Sequence, residues 1–166
     1  MLKTRVITSL AAVAVVAIVL FALPVAWAEI LLGLLIAGGA WEWSGFLGIE
    51  SREVRWGYTG LVVVAAALAH VFMPDYGTLV LQVAVAWWMI AFLWTLFFPT
   101  PIPAVVRWVS GLLVLIPLFV ALVTLLRTGV EYVVFILVLV WLADGGAYFA
   151  GKAFGRVKLA PEISPK

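Results

Sequence analysis

Asp144 is the residue in this chain whose setting most needs a chemical reason. It follows eleven apolar residues and sits in Trp141-Leu142-Ala143-Asp144-Gly145-Gly146-Ala147-Tyr148, with no basic residue within four positions to neutralise it. A charged side chain in the middle of a membrane helix costs about 2.5–3.5 kcal/mol, so such residues mark functional sites by default. On a continuous helix, Tyr148, Gly151 and Gly155 fall within about 40° of Asp144, and Lys152 lies about 80° round. That face carries an acid, a phenol and two glycines. Packing between helices accounts for small residues and leaves Asp144 unexplained. Beyond the apolar run come Lys152, Arg156, Lys158, Ser164 and Lys166. Two readings of this basic tail stand together: contact with anionic lipids, or recognition of phosphates by lysines acting as point charges. A carboxylate that can hold a hard divalent cation, followed by several lysines, suits a nucleoside triphosphate. The tail is not a Walker motif, because no Gly-Lys-Ser/Thr loop occurs.

Other polar residues in apolar surroundings ask for less. Glu29 is expected to reach the nearby headgroups at one end of its helix. Glu131 begins a helix, where a carboxylate favours the positive end of the dipole. His70, near Pro74, is expected to be structural, since a lone histidine lacks the three or four ligands of a zinc site. Glu42, in Ala40-Trp41-Glu42-Trp43, has two readings. It reaches water within an interfacial tryptophan belt, or it braces a cytoplasm-facing cavity.

These residues must be positioned by membrane helices. Of the 166 residues 67% are hydrophobic and 11% charged, against about 25% charged in a soluble domain. Six apolar runs, approximately 6–23, 26–48, 57–73, 79–98, 105–126 and 130–150, are long enough to cross a bilayer or nearly so, at roughly 20 residues each. Hydrocarbon leaves no partner for open backbone groups, so the runs should be helices; the expected fold is an all-α polytopic bundle. Pro24, Pro74-Asp75-Tyr76-Gly77 and Pro99-Thr100-Pro101-Ile102-Pro103 are expected to end helices. Residues 1–150 form the membrane region and 151–166 a basic cytoplasmic segment. With Lys3 and Arg5 in the cytoplasm, nine of the ten basic residues fall inside and only Arg127 outside, as the positive-inside rule requires. Both termini are then cytoplasmic. Lys3, Arg5, the first apolar run and Ala26-Trp27-Ala28 resemble a cleavable signal peptide, but more membrane helices follow, and retention of this helix is expected. The basic residues form no stripe, which excludes nucleic acid as a partner. The absence of cysteine excludes disulfides and thiolate chemistry.

The stretch from Ala143 through Lys166 resembles the bacterial phosphatidate cytidylyltransferase (CDP-diacylglycerol synthase) family. In that family the region reads Asp-Ser/Thr-Gly-Ala-Tyr, then Gly-x-x-Phe-Gly, then Leu-Ala-Pro and Ser-Pro-x-Lys-Thr. Met1-Leu2-Lys3-Thr4-Arg5 and Ala40-Trp41-Glu42-Trp43 also look like the family's opening, so the resemblance spans essentially the whole chain. It implies transfer of CMP from CTP to phosphatidic acid, with Mg2+ or another divalent cation, in the bacterial inner membrane. It implies Asp144 as a catalytic and metal residue and Lys166 as catalytic, with Tyr148, Lys152, Lys158 and Ser164 binding substrate. Gly145 stands where the family usually has a hydroxyl residue, so any ligand from that side chain is lost. The family continues past this point with a second signature rich in Asp, Lys and His. The 166 residues are therefore expected to be an N-terminal portion, inactive alone. A non-enzymatic membrane subunit and a small transporter with Glu42 and Asp144 on an ion path remain open, as does a homodimer.

Overall fold

The computed structural model describes residues 2–97 and 99–155. They form six helices: α1 Leu2–Phe21, α2 Val25–Phe46, α3 Arg52–Val71, α4 Met73–Thr95, α5 Ala104–Thr128 and α6 Val130–Phe154. Among the described residues there is no strand. The helices have 20 to 25 residues, or about 30–38 Å at 1.5 Å per residue, which matches a hydrocarbon core of about 30 Å. Among the described residues five helices, α2 to α6, are long and apolar enough to cross a membrane. The protein is an all-α, multi-pass membrane bundle.

Helix α5 lies at the centre and touches α2, α3, α4 and α6, while α2 also packs on α1 and α3. The contact surfaces are stripes of four-residue spacing. On α2 the buried residues are Ala28, Leu32, Ile36, Ala40 and Ser44. On α3 they include Tyr58, Val62 and Ala66, and on α5 Leu115, Phe119 and Val123. Residues four apart lie on one face of a helix, so each helix contributes one seam. Several seam residues are small, which lets helix backbones approach where lipid offers no hydrophobic drive between helices. The outward faces carry exposed Leu34, Phe46, Val64, Met89 and Val105. An apolar exterior this extensive is a lipid-facing surface.

Two boundaries differ from those expected. Pro74-Asp75-Tyr76-Gly77 does not end a helix. Only Phe72 separates α3 from α4, and Pro74 lies in the first turn of α4. A proline there forfeits an N–H that has no partner in any case, and its φ suits the helix. The third helix begins at Arg52, five residues before the expected start, because Ser51 caps it: its Oγ accepts from Val54 N at 3.3 Å and donates to Glu53 Oε2 at 2.7 Å. Pro24 and Pro103 behave as expected, standing just outside α2 and α5 as N-caps.

Each end of the bundle is tied by polar side chains. At one end, Arg127 Nε of α5 donates to Glu29 Oε1 of α2 at 2.6 Å. His70 Nε2 of α3 lies 3.3 Å from Arg127 Nη2 and 3.6 Å from Glu29 Oε2. His70 thus has a structural part, as expected, although it does have a carboxylate neighbour. The expectation that Glu29 reaches the headgroups is corrected: its side chain is only 15% exposed and engaged by two helices. At the other end, Arg55 of α3 donates to Ser44 Oγ at 2.8 Å and to Trp41 O at 2.9 Å, and lies over the Trp41 ring. Arg107 of α5 donates to Phe46 O at 3.2 Å, one of the carbonyls that a helix C-terminus leaves without a partner.

Candidate active site

Helix α6 follows α5 after the single residue Gly129. Glu131 lies in its first turn. Val133 is buried in the core and Leu137 packs against it. From Val138 onward every described residue except Gly145 is exposed. The helix runs unbroken to Phe154, which puts Asp144, Tyr148 and Lys152 on consecutive turns of one rigid element. By helix geometry Lys152 stands about 12 Å along the axis from Asp144, with Tyr148 midway.

All three are exposed, Tyr148 to 65%. Among the described residues neither Asp144 nor Lys152 makes a hydrogen bond or ion pair, so both heads are free for a ligand. The Tyr148 ring meets Phe149 edge-on at 5.4 Å. The surrounding side chains Trp141, Leu142, Phe149 and Phe154 are apolar and exposed. The face is thus a polar line on an apolar helix. A methyl group added at Gly145, Gly146 or Gly151 would meet no atom within 4 Å. Packing inside the described part of the chain therefore does not account for these glycines, whereas Gly111 on α5 is in direct contact with Tyr58 and Trp43.

Lys158, Ser164 and Lys166, with Arg156, lie outside the described residues. Among the described residues no three His, Asp or Glu side chains gather in a way that could hold a metal ion. Asp144 alone offers one carboxylate. Mg2+ keeps several waters and is bound by one or two carboxylates together with substrate phosphates, so an unpaired exposed Asp fits one such position.

Glu42, read in the sequence either as part of a tryptophan belt or as the brace of a cavity, lines a groove. It lies between α2 and α3 and includes Trp41, Arg52, Trp56 and Thr59. What sequence reasoning missed is the company of Glu42, Arg52 and Thr59, which depends on how α3 is turned against α2. A second hollow of about 280 Å³, walled mainly by Trp43, Trp87, Trp88 and Trp94, has almost no polar lining and offers no chemistry.

The sequence model of the cytidylyltransferase family matches residues 3–166. The chain is 38% identical to a phosphatidate cytidylyltransferase of Pseudomonas aeruginosa, over 99% of this chain and 63% of that protein. It is 31% identical to one of Haemophilus influenzae, over 99% of this chain and 65% of that protein. A Bacillus subtilis protein of the same name is 45% identical over 47 residues. The chain thus spans less than two thirds of the relatives that it matches along its length. No solved structure matches.

Proposed function

The chain belongs to the cytidylyltransferase family, and on that premise we propose that it takes part in transferring CMP from CTP to phosphatidic acid, giving CDP-diacylglycerol and pyrophosphate. The observation that carries this reading is the line of Asp144, Tyr148 and Lys152 along the exposed half of α6. A carboxylate and an ammonium about 12 Å apart on one rigid helix can engage separate parts of a nucleoside triphosphate. A divalent cation held at Asp144 would neutralise phosphate oxygens and the departing pyrophosphate. Lys152 places a positive charge at the other end of that line, where it can pair with other phosphate oxygens, and the Tyr148 hydroxyl between them can donate to a phosphate. Lys158, Ser164 and Lys166 add phosphate contacts in this reading.

In the reaction, an oxygen of the lipid phosphate bonds to the α-phosphorus of CTP. The bond from that phosphorus to the oxygen bridging to the β-phosphate breaks, and pyrophosphate leaves. The protein's part is positioning and charge stabilisation, which dominate phosphoryl-type transfers. We place the chain in the bacterial inner membrane with both ends of the sequence cytoplasmic. Support comes from the basic residues: Arg55 and Arg107 tie one end of the bundle and Arg127 the other, which agrees with their assignment to opposite sides.

The test uses membranes containing the protein expressed from its native gene, supplied with phosphatidic acid and CTP labelled at either the α- or the γ-phosphorus. The α-label should enter the lipid phase and the γ-label should stay in water as pyrophosphate. Label entering lipid from the γ-position, or from neither, would overturn the proposal.

A further inference from the structure

The groove between α2 and α3 has a volume of about 570 Å³ and is walled by Gly38, Trp41 and Glu42 on one side and by Arg52, Trp56 and Thr59 on the other. Its size falls within the range of about 300–1,000 Å³ usual for ligand sites. Thr59 is 5% exposed, and its hydroxyl is buried without a hydrogen-bond partner among the described residues. Elsewhere in the bundle helical hydroxyls return to their own backbone. Ser110, Thr124 and Thr128 bond the carbonyls of Val106, Val120 and Thr124 at 2.5, 2.7 and 2.8 Å. Thr59 forgoes that bond, and a buried hydroxyl without a partner is costly.

The charges of the groove point the same way. Glu42 stands on the α2 wall and Arg52 on the α3 wall, yet they form no ion pair with each other or with any other described residue. The neighbouring Arg55 and Glu53 are already engaged, by Ser44 and Trp41 and by Ser51. The Trp41 and Trp56 rings meet at 4.6 Å, and Arg55 lies over Trp41. The groove therefore presents one free acid, one free base, an exposed indole and an unused hydroxyl donor. Arg52 opens α3, and Thr59 lies seven residues on, about 10 Å along the axis.

We propose that this groove binds a zwitterionic glycerophospholipid bearing a primary ammonium, as in phosphatidylethanolamine. The phosphate pairs with Arg52. The ammonium donates to Glu42 beside Trp56, combining a charge-assisted hydrogen bond with attraction to the ring face. Thr59 donates to an ester carbonyl of the glycerol. The ethanolamine arm reaches across the groove, from Arg52 on the α3 wall to Glu42 on the α2 wall, while the glycerol runs along α3 toward Thr59. An anionic headgroup would set its charge against Glu42 with no ammonium between. A choline headgroup has no N–H to give Glu42. The lipid substrate proposed above carries no ammonium, so this site is separate from the α6 face and its test is independent of the reaction.

The protein expressed from its native gene and purified in neutral detergent is offered equimolar phosphatidylethanolamine, phosphatidylglycerol and phosphatidylcholine, and retained lipid is counted by native mass spectrometry. Phosphatidylethanolamine should be retained about tenfold over each of the other two, the order expected for one charge-assisted contact. Glu42→Gln should bring it down to the phosphatidylcholine level, and Arg52→Gln should lower retention of all three. Thr59→Val, which removes the donor to an ester carbonyl that all three lipids carry, should likewise lower retention of all three. Equal retention of phosphatidylethanolamine and phosphatidylcholine by the unsubstituted chain, a preference for phosphatidylglycerol, or an unchanged preference in Glu42→Gln of normal helical circular dichroism would overturn the proposal.

Discussion

Asp144→Asn is expected to lower CMP transfer by at least about a hundredfold, equivalent to about 2.7 kcal/mol of transition-state stabilisation. The substitution keeps size and hydrogen-bonding shape but removes the charge that would hold a divalent cation. Because Asp144 is exposed and engages no described residue, helix content and thermal stability should be unchanged, which separates chemistry from folding. Lys152→Ala on the same face should cost less, about tenfold, because other lysines share the phosphates. The assay is initial-rate formation of CDP-diacylglycerol in membranes carrying each variant from the native gene. A loss below about threefold for Asp144→Asn would leave the residue without a catalytic part. It would return the chain to the alternative of a non-enzymatic membrane subunit.

The second large effect concerns stability. Gly111 of α5 lies where Tyr58 of α3 and Trp43 of α2 converge. A methyl group there would collide with the Tyr58 hydroxyl and stand 2.6 Å from Trp43 Nε1. Both side chains are committed. Tyr58 donates to Trp108 O at 3.3 Å, and Trp43 Nε1 donates to Arg107 O at 3.1 Å. Neither ring can retreat without giving up a hydrogen bond to α5, and the Tyr58 ring also meets Trp108 edge-on at 5.3 Å. Gly111→Ala should therefore destabilise the bundle by about 2–4 kcal/mol, overpacking and lost hydrogen bonds together. Gly33→Ala on α2 is the control. Nothing lies within 4 Å of its added methyl, and it should be neutral or stabilising by up to about 1 kcal/mol. Unfolding in mixed micelles followed by circular dichroism measures both. Equal stability of the two variants would mean that α2, α3 and α5 do not meet as described.

How much of this was legible in the sequence follows from what one-dimensional patterns contain. The apolar runs located the helices, because burial in lipid is read from composition along the chain. Asp144 was legible for the same reason, as the acid that breaks such a run, and its helical neighbours followed from the 3.6-residue period. Helix ends were harder. Arg52 to Trp56 lower the local hydropathy and hid the first turn of α3, although Ser51 and Glu53 carry a capping signal. Pro74 reads alike as the end of one helix or the start of the next, and Phe72 leaves no loop to decide it. Least legible were contacts between helices. Glu29, His70 and Arg127 are far apart in sequence and meet only because α2, α3 and α5 bring their ends together. The groove of Glu42, Arg52 and Thr59 likewise depends on how two helices are rotated about their axes. No hydropathy profile carries that rotation; here it is set by the four-residue stripes of buried residues, several of them small, that form the seams.

The central claim is that the exposed face of α6 holds the metal–nucleotide pair. The 166 residues contain no cysteine, so a nitroxide on Ala147→Cys would report on that face, and Mn2+ can stand for Mg2+ as a paramagnetic probe. The account predicts that Mn2+ broadens the nitroxide spectrum strongly only when CTP is present, and that Asp144→Asn abolishes the effect. Broadening that needs no CTP, or that survives Asp144→Asn, would contradict it.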